Sequence, residues 1–106
     1  MKLEDKVVIV TGGGRGIGRA IALGYAKEGA DLVLAARTKS EIETVADEIR
    51  SLGRQAIPIV TDISKESEVN NMVEDAYTYR RQIDVLVNNA GIIDKNLTEI
   101  KNLELS

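Results

Sequence analysis

Eight consecutive residues carry the clearest chemistry in this sequence: Thr11-Gly12-Gly13-Gly14-Arg15-Gly16-Ile17-Gly18. Glycines this dense let the backbone turn sharply and bring its N–H groups close to an anion, with no Cβ in the way. They follow the apolar run Val7-Val8-Ile9-Val10 and lead into an amphipathic stretch. A helix opening there aims its N-terminus, worth about half a positive charge, at the same spot. The arrangement reads as a diphosphate cradle; the blander alternative is an ordinary glycine-rich turn between a strand and a helix. Two cations extend the pattern. Arg15 stands in the first turn of the expected helix, where a positive charge opposes the helix dipole at a cost of about 0.3 kcal/mol or more. Arg37 follows the second apolar run in Ala35-Ala36-Arg37-Thr38. An NAD site usually carries an acid there, about 20 residues past the glycine loop. A carboxylate would repel a 2′-phosphate, whereas a guanidinium attracts one and bonds it as a fork. Taken singly, each arginine reads as a solvated surface residue. Taken with the missing acid, the pair favours NADP(H) over NAD(H).

These residues need a scaffold. Four short apolar runs, Val7-Val8-Ile9-Val10, Leu32-Val33-Leu34-Ala35-Ala36, Ile57-Pro58-Ile59-Val60 and Val85-Leu86-Val87, alternate with three longer amphipathic segments. Runs rich in β-branched residues suit parallel strands covered on both faces. The first helix is expected to open near Arg15-Gly16 and stop at Gly29. The second opens on Ser40-Glu41-Ile42-Glu43, a capping-box pattern pairing Ser40 with Glu43. Its apolar stripe is Ile42, Val45, Ala46, Ile49 and Leu52, and Gly53 ends it. The third, after Ser64, repeats Val69, Met72, Val73 and Ala76 at helical spacing.

Strand–helix alternation with short connections predicts an α/β, Rossmann-type parallel sheet, built β-α-β-α-β-α-β in strand order 3-2-1-4. The first two helices then cover one face and the third the other. Pro58 falls on an edge strand, which tolerates a missing donor. The fourth strand is wholly apolar yet has no partner on its far side, so the sheet is expected to be incomplete. Its open edge would pair with a missing C-terminal half or with a second copy of the chain.

Composition excludes several classes. The chain has 106 residues, 14 basic and 17 acidic side chains, no histidine and no cysteine, with a formal charge of −3. That length allows one domain and no more. Disulfide and thiolate chemistry are absent, and a zinc site lacks its usual ligands. The only aromatics are three tyrosines, too few on a mildly acidic chain for a nucleic-acid platform. No stretch approaches the roughly 20 apolar residues that span a bilayer. No signal-peptide core precedes the first strand. The expected setting is cytoplasmic, with neither nucleic acid nor membrane among its partners.

Two further motifs sharpen the reading. Asp62-Ile63 lies just past the third strand and Asn88-Asn89-Ala90-Gly91 at the end of the fourth. With Thr11-Gly12-x-x-x-Gly16-x-Gly18 they resemble the short-chain dehydrogenase/reductase family over nearly the whole chain. The similarity is greatest to 3-oxoacyl-(acyl-carrier-protein) reductases and related carbonyl reductases. That resemblance implies that Gly12, Gly16 and Gly18 line the diphosphate with the Ile17 N–H facing it, and Gly14 and Thr38 join the cofactor-binding set. It also implies that Asp62 accepts from the adenine amino group, Ile63 lies beside the ring, Asn88 sits beneath the adenosine, and Ala90 and Gly91 run along the ribose. NADP-preferring members share the arginine pair. Read without the family, Asp62 could instead cap the next helix, and Asn88 and Asn89 could be turn residues bonded to local backbone.

The same resemblance implies hydride transfer between NADPH and a ketone or 3-oxoacyl substrate, the proton coming from the tyrosine of a Tyr-x-x-x-Lys pair. Here Tyr25, Tyr77 and Tyr79 are followed four residues on by Gly29, Arg81 and Ile83. None makes that pair, and the family's catalytic Asn, Ser, Tyr and Lys are expected beyond residue 106. Residues 1–106 are therefore expected to be a truncated, N-terminal portion of a dinucleotide-binding domain, without oxidoreductase activity alone. A stand-alone nucleotide-binding module, or an assembly subunit pairing through its fourth-strand edge, are the alternatives. Relatives often place a helix-stopping glycine where Arg80-Arg81-Gln82 follow Tyr79.

Overall fold

The computed structural model describes residues 3–89. Along them run β1 (Val7–Thr11), α1 (Gly16–Lys27), β2 (Asp31–Ala36), α2 (Lys39–Ser51), β3 (Ala56–Val60), α3 (Glu66–Arg80) and β4 (Val85–Asn88). The strands form one parallel sheet in the order β3-β2-β1-β4. This is the Rossmann-type architecture expected from the alternation of runs.

Side chains alternate across the sheet, so each strand feeds two cores. Val8, Val10, Leu32 and Leu34 pack against Ala22 and Ala26 of α1 and Ile42, Val45, Ala46 and Ile49 of α2. Val7, Ile9, Val33 and Ala35 pack against Met72, Val73 and Ala76 of α3. β1 is buried along its whole length because a strand flanks it on each side and helices cover both faces. The alanines of α1 bring that helix close to the sheet, which the glycine loop in front of it requires. Pro58 pairs with Leu34 on the edge strand β3. On the opposite side Val85, Leu86 and Val87 of β4 remain half-buried, and among the described residues β4 pairs with β1 alone.

Two local expectations fail. α2 begins at Lys39 with Thr38 as its N-cap, and no side chain caps it. The Thr38 carbonyl already accepts the Glu41 and Ile42 N–H groups, so the helix starts ahead of Ser40. Ser40 thus lies inside the first turn, where its carbonyl accepts the Thr44 hydroxyl at 2.9 Å. Glu43 pairs instead with Lys39, 3.9 Å away. Leu52 also leaves the apolar stripe: it is the C-cap residue, 45% exposed, because the chain turns away at Gly53.

Helix ends show what each turn costs. Gly29 takes φ 99° and returns its N–H to Ala26, so α1 stops without strain. α3 stops on Arg81, a side-chain-bearing residue held at φ 58°. An L-residue in that left-handed region is disfavoured by the Cβ–carbonyl contact. Arg81→Gly is expected to stabilise the chain by about 0.5–1 kcal/mol after the greater unfolded-state freedom of glycine is deducted. Thermal unfolding should show this as a rise in Tm of a few degrees.

The end of the sheet away from the glycine loop is tied by charge. The Asp31 carboxylate, in a residue only 7% exposed, accepts the Gln55 N–H at 2.9 Å and pairs with Arg80 of α3. The Tyr79 hydroxyl donates to Gln55 Oε1 at 2.9 Å. Burial, with the Asp31 charge adding to it, pushes the Tyr79 phenol above its ordinary range. On the β1–β4 side, Val7 donates its N–H to the Asp84 carboxylate at 2.8 Å.

Candidate functional site

At the carboxyl ends of β1, β2 and β3 the connecting loops enclose a cleft of about 700 Å³. Open α/β sheets bind ligands at this end, in the crevice where the strand order reverses. Here the reversal lies between β1 and β4.

The glycine loop forms one wall through Gly12, Gly14, Arg15, Gly16 and Ile17. Gly12 and Gly16 take φ 68° and 58°, conformations that side chains rarely adopt. Around Gly16 a Cβ would meet nothing within 4 Å, so its backbone angle rather than crowding calls for glycine. Arg15 is the N-cap of α1 in extended conformation, with no side-chain hydrogen bond to the helix and no acid in the first turn. The free N–H groups of that first turn are therefore left for a ligand.

Gly18 is placed elsewhere. It is buried behind the loop, and a Cβ there would sit 1.9 Å from the Gly12 carbonyl oxygen and 2.7 Å from Asn89 Nδ2. Its absence of a side chain lets α1 rest directly on the loop, so it shapes the cradle rather than lining it.

The second wall comes from the β2–α2 connection. Ala36, Arg37, Thr38 and Glu41 line it. Arg37 and Thr38 are exposed. Glu41 had no predicted role beyond its helix. It stands in the first turn of α2 and sets Oε2 3.7 Å from Arg15 Nη1. The one sequence signal for it was its place a helical turn after Arg37.

The third wall follows β3, through Thr61, Asp62, Ile63 and Ser64. Asp62 Oδ1 accepts the Ser64 N–H at 3.0 Å and the Ser64 hydroxyl at 2.7 Å. These bonds hold the Asp62 carboxyl below its ordinary range, against burial, with the charges of Arg37 and Lys65 helping. Asp62 thus braces its own turn, while Lys65 is the N-cap of α3. Ile63 is 7% exposed and packs with Val69 and Leu86 while still edging the cleft.

Behind these walls Thr11 links β1 to the end of β4. Its hydroxyl accepts the Asn89 N–H at 3.0 Å and lies 3.2 Å from Asn88 Oδ1. Of the two asparagines, Asn89 reaches the cleft and lies 3.4 Å from the Gly12 carbonyl through Nδ2. Asn88 is an exposed strand-end residue outside the lining. Ala90 and Gly91 lie outside the described residues.

The residues that converge here fit an anionic dinucleotide: an open helix N-terminus, a glycine-rich loop, and two arginines. A family model described as short chain dehydrogenase matches residues 6–106. The chain belongs to this family. Members bind a nicotinamide dinucleotide. The chain is 42% identical over 90 residues to an uncharacterized oxidoreductase of Mycobacterium tuberculosis, an alignment covering 85% of this chain and 34% of that protein. Among solved structures it resembles a metagenomic short-chain oxidoreductase in complex with NADP (TM-score 0.82, 36% identity, 87% of this chain and 42% of that one). It also resembles a short-chain dehydrogenase/reductase from Burkholderia phymatum in complex with NAD (TM-score 0.77, 30% identity, 81% and 31%). The chain thus spans about a third of the curated relative and of the NAD complex, and somewhat more of the NADP complex. Those two structures carry different dinucleotides, so the comparisons do not decide between NADP and NAD. Among the described residues no helix is long and apolar enough to cross a membrane.

Proposed function

We propose that residues 1–106 are the NADP(H)-holding portion of a dinucleotide-binding domain in an oxidoreductase of the short-chain dehydrogenase family. Arg37 carries this reading. It lines the same cleft as Arg15 and the glycine loop, at the end of β2 where a ribose-binding acid would otherwise stand. The first-turn N–H groups of α1 would meet the diphosphate, and Arg15 and Arg37 the 2′-phosphate. Asp62 and Ile63 would take the adenine, and Thr38 and Asn89 would close the ribose side. Gly18 would act by letting α1 approach.

When bound, the cofactor supplies or accepts a hydride. A ketone or 3-oxoacyl thioester is the substrate class we assign, on the resemblance to 3-oxoacyl-(acyl-carrier-protein) reductases. The tyrosines here are not followed by a lysine four residues on, so these 106 residues hold and orient the dinucleotide without transferring the proton. The half-buried edge of β4 suits further backbone pairing.

Calorimetric titration with NADPH and NADH tests the cofactor assignment. NADPH is expected to bind about tenfold or more tightly than NADH, since charge-assisted bonds to the 2′-phosphate contribute about 1.5–3 kcal/mol. Arg37→Asp should remove or reverse that preference. Equal affinities in the unaltered chain would contradict the arginine argument.

A further inference from the structure

The cleft holds a feature that works against a 2′-phosphate. Glu41 places its carboxylate 3.7 Å from the guanidinium of Arg15, in the wall between the glycine loop and Arg37. Its stem is pressed against Gly14, where an added Cβ would lie 2.8 Å from Glu41 Cβ and 3.4 Å from Glu41 Oε1. The two partners differ in freedom. Arg15 is 85% exposed along its side chain and can swing, whereas Glu41 is 33% exposed and held against the loop. A phosphate entering beside Arg15 would draw the arginine away and leave a carboxylate facing it. Like charges at such range repel even through partly screened surroundings.

An acid in the first turn of a helix also complements the dipole, which gives Glu41 an ordinary structural reason to exist. Glu43 supplies the contrast. It sits on the same helix and is answered by Lys39, and it does not line the cleft. Position in the cleft and the bond to Arg15 set Glu41 apart.

From this geometry, and resting on the cofactor reading above, we infer that Glu41 is a specificity-setting residue. It neutralises Arg15 in the ligand-free chain and disfavours a 2′-phosphorylated ribose, lowering the ratio of NADPH to NADH affinity. Without the phosphate, the same carboxylate is an acceptor for ribose hydroxyls. The chain therefore balances two arginines that favour the phosphate against one acid that opposes it.

Titrations with 2′,5′-ADP and 5′-AMP separate the phosphate term from everything at the nicotinamide end. Glu41→Gln keeps the shape and removes the charge. It is expected to raise 2′,5′-ADP affinity about three- to tenfold while leaving 5′-AMP affinity level or slightly lower. Glu43→Gln should change neither. An unchanged or weaker 2′,5′-ADP affinity in Glu41→Gln, or an equal rise for 5′-AMP, overturns the assignment. Arg37→Asp, run alongside, identifies which inference has failed. If it weakens 2′,5′-ADP while Glu41→Gln does nothing, only the role of Glu41 falls. If neither variant alters binding, the cofactor reading falls with it.

Discussion

Gly18→Ala is expected to destabilise the chain by about 3 kcal/mol or more, the upper end of what overpacking costs. The added methyl would stand 1.9 Å from the Gly12 carbonyl oxygen. Backbone rather than a flexible side chain receives the clash, and Gly12 is itself fixed at φ 68° by the turn. Relief requires α1 to move off the sheet, which would open the packing of Ala22 and Ala26 against Val8 and Val10. Gly24, in the same helix, is the control, because a Cβ there meets nothing within 4 Å. Gly24→Ala should stabilise by about 1 kcal/mol through helix propensity alone. Urea unfolding of the two variants would display opposite shifts in midpoint. Comparable small effects from both would mean that α1 does not rest on the loop as described.

The second large effect lies at the other end of the sheet. Arg80→Met is expected to cost about 2–3 kcal/mol, because it leaves the nearly buried Asp31 carboxylate without its counter-charge. The figure falls below that for a fully buried pair, since the Arg80 side chain is 24% exposed and the Gln55 N–H still serves Asp31. Replacing both members, as Asp31→Asn with Arg80→Met, should recover much of the loss, since no stranded charge remains. Thermal or urea unfolding of the single and double variants closes the cycle. Additive losses would show that the pair contributes nothing as a pair.

How far the sequence reaches can be seen residue by residue. β1 and β2 were legible because a strand buried on both faces must be apolar without alternation, as Val7 to Val10 and Leu32 to Ala36 are. The stripes of α2 and α3 were legible from helical spacing, apart from Leu52, which lies at the C-cap where spacing no longer governs direction. The glycine loop announced its turn, yet not which glycine faces outward. Gly18 is set by the approach of α1 to Gly12, a contact across folded backbone that no local pattern encodes. The capping box failed for a local reason, since Thr38 supplies the first carbonyl before Ser40 can. Glu41 meets Arg15, and Asp31 meets Arg80, only because β1, β2 and α3 are brought together by the sheet. Charge pairs between distant segments leave no spacing to read.

Amide chemical shifts of a nitrogen-labelled sample, followed during titration with NADPH, test most directly whether this cleft holds the dinucleotide. Signals from Gly12, Gly16, Ile17, Arg37 and Asp62 are expected to move together on one binding curve, while Asp31, Arg50 and Gly53 at the opposite end stay still. Movement confined to that opposite end, or no movement at any of the cleft residues in a folded sample, would contradict the assignment of the glycine-loop cleft as the cofactor site.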